Sequence, residues 1–201
     1  MQDNLLKKEL AATIRLYNAK GWSPATSTNY SFKNEQGQIW VSRSGVDKSQ
    51  FSENDFIRVD ENGIPQGDFA TAKPSAETFI HCIIYKLFPD SKVILHSHSL
   101  YPILMSVIHK NELKFEGYEV QKGFDKQTTH EGIIRIPILE NNQDMNFFKN
   151  ELNYLKEAIQ NQCFVIRKHG TYAWGKNLFE AKRHLETLDY LCECEWNLTR
   201  K

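Results

Sequence analysis

No run of apolar residues in this sequence approaches the roughly 18 needed to cross a bilayer. The opening stretch MQDNLLKKEL interrupts its apolar pattern with charge and lacks the layout of a signal peptide. Net charge is also missing. The 25 Lys+Arg balance the 25 Asp+Glu, so neither nucleic acid nor a charged membrane surface is an expected partner. Cysteine is sparse, and Cys82, Cys163, Cys192 and Cys194 form no C-x-x-C pair. That excludes a disulfide framework and predicts free thiols, as expected of a cytoplasmic protein. Cys192 and Cys194 fall in a helical pattern, where residues two apart face different ways, so they make a poor metal site. No linker, repeat or low-complexity stretch divides the chain, which predicts one domain over residues 1–201 with a sizeable core.

Within those limits the pattern mixes helices and strands. Leu5, Leu6, Leu10, Ile14 and Tyr17 form one stripe of a helix over 4–19, stopped at Gly21. A hydroxyl-rich segment, 22–32, leads into a hairpin with strands near 29–33 and 38–42, and residues 56–60 alternate as a third strand. Ser75 reads as the N-cap of a helix reaching about Leu87, with Glu77 in its first turn. A strand over 92–96, a helix over 99–109, a strand over 133–138, a helix over 144–160 and a strand over 163–168 follow. Tyr172–Gly175 reads as a short strand or turn, and a long helix opens at Asn177. Pro137 predicts an edge or a strand end for its strand. The elements do not alternate strictly, which predicts α/β layers around a largely antiparallel or mixed sheet.

The chemistry centres on Val93-Ile94-Leu95-His96-Ser97-His98. Side chains two apart in a strand share a face, so His96 and His98 can address one object. A third histidine, His169, follows the apolar run Phe164-Val165-Ile166 and precedes Gly170. Three imidazoles at the ends of buried strands would form an open site for a divalent ion. Zinc suits such a donor set, although iron, manganese and cobalt accept it too. His81 reads as a packing residue inside its helix, and His109, His130 and His184 as exposed. Tyr172 and Trp174 read either as walls of a pocket or as packing.

Several motifs then carry a resemblance. Gly21-Trp22, Ser44-Gly45-Val46-Asp47-Lys48, Lys73-Pro74-Ser75-Ala76-Glu77-Thr78, His96-Ser97-His98-Ser99, Tyr118-Glu119-Val120-Gln121-Lys122-Gly123 and Lys168-His169-Gly170-Thr171-Tyr172-Ala173-Trp174-Gly175 span nearly the whole chain. With them the sequence resembles the class II aldolase/adducin family, and within it the branch that removes water from 5-methylthioribulose 1-phosphate in methionine salvage. The resemblance implies a three-layer α/β fold with a mainly antiparallel or mixed sheet flanked by helices. It implies Zn2+ as cofactor, on His96, His98 and His169, and a small phosphorylated sugar as substrate. Glu119 would be the acid/base and Glu77 a supporting catalytic carboxylate. Asn29, Ser44, Gly45 and Ser75 would hold the substrate phosphate, with Lys48 and Lys122 either charge partners or surface lysines. A homotetramer with sites at subunit interfaces is implied as well. An aldolase or epimerase acting on another sugar phosphate is the alternative activity. Thr26-Ser27-Thr28-Asn29 stands where the family is often richer in glycine, and Arg43 where a proline is common.

Overall fold

The computed structural model describes residues 2–199; Met1, Arg200 and Lys201 fall outside the described residues. Its centre is an eight-stranded sheet in the order β3-β2-β1-β4-β8-β7-β6-β5. The strands are β1 (Tyr30–Lys33), β2 (Ile39–Ser42), β3 (Phe56–Val59), β4 (Val93–Ser97), β5 (Glu112–Phe115), β6 (Ile134–Leu139), β7 (Cys163–Ile166) and β8 (Gly170–Gly175). All neighbours are antiparallel except β6 and β7, which run parallel. The five α-helices are α1 (Gln2–Ala19), α2 (Thr78–Leu87), α3 (Leu100–Ile108), α4 (Met145–Leu155) and α5 (Leu178–Thr199).

Strand alternation builds the layers. On β4, Val93 and Leu95 join a core that includes Ile14 and Tyr17 of α1, Met105 of α3 and Leu185, Leu188 and Leu191 of α5. Ile94 points the other way, into a second core with Ile80, Ile83 and Ile84 of α2 and Phe148 and Leu152 of α4. The sheet is therefore covered on both faces, as the three-layer expectation required. Among the described residues no helix is long and apolar enough to cross a membrane.

Three readings need correction. β5 was not anticipated, because Glu112-Leu113-Lys114-Phe115 is short and charged; it alternates half-buried or exposed with buried positions at the sheet edge. Pro137 lies in β6, inside the sheet rather than at its edge. It is tolerated because it pairs with Glu112 on one side and sits just before the β6–β7 ladder, which opens at Ile138. α2 begins at Thr78 with Glu77 at the cap position, so Ser75 is not its N-cap. Ser75 instead closes the preceding turn, its carbonyl accepting from Thr78 N and its hydroxyl from Glu77 N.

A polar device holds the site-bearing β7–β8 turn to α3. The Arg167 guanidinium, in the β7–β8 turn, donates to the carbonyls of Ser106, His109 and Lys110 at the end of α3. Asp189 of α5 is buried near Ser99, the residue after His98. Burial raises its carboxyl to about 6, with the nearby Ser99 hydroxyl opposing the shift and Glu193 adding to it. A carboxyl whose folded value lies above its unfolded one favours the fold at low pH and loses that advantage as pH rises through the folded value. The advantage of Asp189→Asn over the parent is therefore expected to grow between about pH 4 and pH 6.5, by no more than roughly 3 kcal/mol. Urea unfolding at the two pH values reads the difference; a constant offset would contradict it.

Candidate metal centre

The antiparallel pairing of β4 with β8 places His96 opposite Tyr172 and Ser97 opposite Thr171. The β7–β8 connection is only Arg167-Lys168-His169, with Lys168 in the left-handed region at φ 56° and His169 N donating to Ile166 O. That tight turn delivers His169 beside the end of β4. Gly170 lets the strands approach. A Cβ there would lie 2.2 Å from the Ser97 carbonyl and 2.9 Å from the His98 ring. On its other side His98 N donates to Trp22 O at 2.9 Å, which explains why the turn after α1 belongs to the site.

The three imidazoles converge. Ring centroids are 4.7 Å apart for His96–His98, 5.1 Å for His96–His169 and 4.8 Å for His98–His169. One ring nitrogen from each falls within 4.8 Å of the other two. His96 is fully buried and its Nδ1 donates to the Thr171 carbonyl at 2.9 Å, which leaves Nε2 as the lone-pair atom. That Nε2 faces His98 Nε2 at 2.9 Å. Burial pushes His96 well below the ordinary imidazole value and His98 down to about 4. Neutral rings whose nitrogens face one point are the donor chemistry of a zinc-type site, so the residues present fit a divalent ion.

Glu77 closes the cluster. Its Oε1 lies 2.8 Å from His169 Nε2 and its Oε2 3.4 Å from His96 Nε2. Asn29 Nδ2 and the Tyr172 hydroxyl both donate to Oε2, at 2.7 and 3.2 Å. Burial raises the Glu77 carboxyl, but the bond from His169, the neighbouring His96 and the Asn29 amide outweigh it and hold the group well below the usual carboxylate range.

Of the four expected phosphate residues, Asn29 and Ser75 meet at Glu77. Asn29 Nδ2 also reaches Ser75 Oγ at 3.2 Å, and Ser44 N donates to the Lys73 carbonyl, so the Ser44-Gly45 turn runs alongside Lys73-Pro74-Ser75. Just before Asn29, Ala25, Thr26 and Thr28 have φ of 54°, 60° and 74°. Threonine in the left-handed region is strained, and these are the positions where glycine would be at ease.

Glu119 is elsewhere. It opens a 3-10 turn, Glu119–Gly123, packed on α5, where Gly123 abuts Thr187. Its side chain is 73% exposed, 2.5 Å from Lys122 Nζ and 3.5 Å from His130 Nδ1. Among the described residues its polar partners are Lys122 and His130, not Glu77 or the three histidines. Lys122 is thus its surface partner. Lys48, in contrast, is buried, its ammonium donating to the Val46 carbonyl and lying over Phe51. His184 is not exposed either; it is buried in α5 with Nδ1 donating to the Trp174 carbonyl. Its place on the inner stripe of α5 was the overlooked signal. Tyr172 was undecided between wall and packing; its ring stacks on His96 at 4.1 Å and its hydroxyl bonds Glu77. Trp174 packs on Phe88 and Phe164.

With this geometry in place, the comparisons are specific. The model of the class II aldolase and adducin N-terminal domain matches residues 8–196. A methylthioribulose-1-phosphate dehydratase from a Picosynechococcus species is 50% identical over 197 residues, 97% of this chain and 93% of its own length. One from an Enterobacter species is 39% identical, covering 98% of this chain and 97% of its own length. Among solved structures, YgbL from Escherichia coli superposes with a TM-score of 0.82 at 20% identity, over 98% of this chain and 91% of that one.

Zinc added to chelator-stripped protein is expected to bind at one equivalent per chain. His98→Ala should weaken that binding by more than the about 10–100-fold that loss of an outer partner costs. Competition with a chromogenic chelator measures both, and unchanged affinity in the variant would remove His98 from the ligand set.

Proposed function

The chain belongs to the class II aldolase and adducin family, and we propose from that premise that it is a hydro-lyase converting 5-methylthioribulose 1-phosphate to 2,3-diketo-5-methylthiopentyl 1-phosphate and water. The observation that carries this reading is the meeting of His96, His98 and His169 around Glu77 in a chain half-identical to a named dehydratase.

Dehydration removes a proton from C3 and the hydroxyl from C4, and the resulting enol becomes the C3 ketone when C4 takes a proton. A divalent ion, assigned as Zn2+ on His96, His98 and His169, supplies Lewis-acid polarisation of the substrate oxygens when bound. The rest falls to side chains. Glu119 is assigned the proton transfers, from C3 and to the departing C4 hydroxyl. Glu77 stays ionised beside the histidines and keeps an acceptor oxygen at the reacting end of the sugar, oriented by Asn29 and Tyr172. Asn29, Ser44, Gly45 and Ser75 are assigned to the phosphate, where a bend of small residues leaves room for the anion.

Residues 1–201 are assigned as one class II aldolase-like domain of a cytoplasmic homotetramer acting in methionine salvage. Supporting self-association, α3 starts two residues after His98 and carries a stripe of exposed apolar side chains, with Leu100 60%, Val107 50% and Ile108 52% exposed. Glu119 projects from the surface of its own protomer, in keeping with a site shared between subunits.

The zinc-loaded protein incubated with 5-methylthioribulose 1-phosphate should yield the diketone. Retro-aldol fragments would instead favour a sugar-phosphate aldolase, and no reaction with any metal would overturn the enzyme reading. Glu119→Gln is expected to keep its zinc and lose about 10²–10⁴ in kcat; wild-type turnover in that variant would return the acid/base role to Glu77.

A further inference from the structure

Behind Glu77 runs a chain of buried polar groups that, Asn29 apart, neither metal binding nor phosphate binding uses. From the α2 side of the sheet inward it comprises Tyr85, Ser31, His81 and Asn29. Tyr85 Oη lies 2.8 Å from Ser31 Oγ, which lies 2.7 Å from His81 Nδ1. His81 Nε2 is bonded to Asn29 Oδ1, and Asn29 Nδ2 donates to Glu77 Oε2 at 2.7 Å. His81 and Ser31 are 1% and 0% exposed, so water cannot substitute for these partners.

Chemistry fixes the direction of every bond. Asn29 Nδ2 is the atom that faces Glu77 Oε2, and it donates there as the NH2. Asn29 therefore turns its carbonyl oxygen to His81, and His81 Nε2 must carry a proton. Burial keeps His81 neutral by lowering it to about 3, so Nδ1 has the lone pair and accepts from the Ser31 hydroxyl. Ser31 in turn accepts from Tyr85, whose phenol burial keeps protonated. The donors thus point toward His81 Nδ1 on one side and toward Glu77 on the other. A rotated Asn29 amide would set two acceptors, its own oxygen and the Glu77 carboxylate, against each other.

We propose that His81 is a positioning residue for the dehydration: as the Nε2–H tautomer, set by Ser31 and Tyr85, it locks the Asn29 amide so that its NH2 holds the Glu77 carboxylate against the histidine cluster. The inference rests on the dehydratase reading for its kinetic consequence, but not for its structural one. The ring also contacts Tyr172 edge-on, with centroids 5.5 Å apart, so the second donor to Glu77 is packed by the same side chain.

Two measurements test it. Long-range 1H–15N correlation spectra of the full chain, with the His81 signal identified by its loss in His81→Gln, should show His81 with Nε2 protonated and Nδ1 bare. The Nδ1–H tautomer or an imidazolium would overturn the proposal whatever the enzyme does. In the zinc-loaded protein, His81→Phe should lower kcat about 10–100-fold with KM within about threefold, the scale of one hydrogen bond to a charged group. His81→Gln, whose amide N–H can still donate to Asn29, should recover most of that loss, with zinc content unchanged in both. Wild-type kcat in His81→Phe, or a glutamine variant no better than phenylalanine, would reduce His81 to packing. If the wild type itself does not dehydrate the substrate, the functional reading fails while the tautomer result still decides the chain.

Discussion

The close approach of β8 to β4 at Gly170 is the constraint on which the site depends. The Ser97 carbonyl occupies the space where any side chain at 170 would begin. Because glycine leaves that space to the carbonyl, His169 leaves a three-residue turn next to the end of β4, and the Thr171 carbonyl receives the His96 Nδ1 proton. Sheet hydrogen bonds thereby set both the separation and the tautomer of the ligand rings. Residues 73 places apart in sequence behave as one rigid unit, because two paired strands carry them.

Electrostatics then makes the cluster selective for a cation. Burial disfavours protonated His96 and His98, so the rings stay neutral with lone pairs available. Among the described residues Glu77 contributes the negative charge in direct contact, held by Asn29 and Tyr172. An ionised carboxylate beside neutral imidazoles attracts a divalent ion without neutralising it fully, which preserves Lewis acidity. The surrounding scaffold is correspondingly stiff: Arg167 ties the β7–β8 turn to α3.

Stability and function pull apart in two places. Asp189 is buried on α5 at a cost that grows with pH, yet it lies near Ser99, the residue after His98. Ala25, Thr26 and Thr28 hold left-handed backbone immediately before Asn29. Both are strained features packed against the residues assigned to chemistry, a pattern expected where geometry at a site outweighs local comfort.

The residues by themselves determined the elements with strong periodicity: α1 by its apolar stripe, β4 by its run into His96, and α5 by its long inner face. They also pointed to the histidine cluster, because His-x-His at a strand end obliges two rings to share a side, and the family motifs singled out Glu119 together with Glu77, of which only Glu77 lies in that cluster. What only the tertiary structure decided were relations between segments distant in the chain. Composition around His184 and Lys48 looked polar, yet both are buried, since exposure depends on which face of an element is covered by another. Nothing local marked Arg167 as a cap for α3, nor Tyr172 and His81 as parts of the apparatus holding Glu77. Hydrogen-bond direction is likewise a property of the assembled chain: His81 acquires its tautomer only when Ser31 and Asn29, from β1 and the segment before it, arrive on either side of its ring.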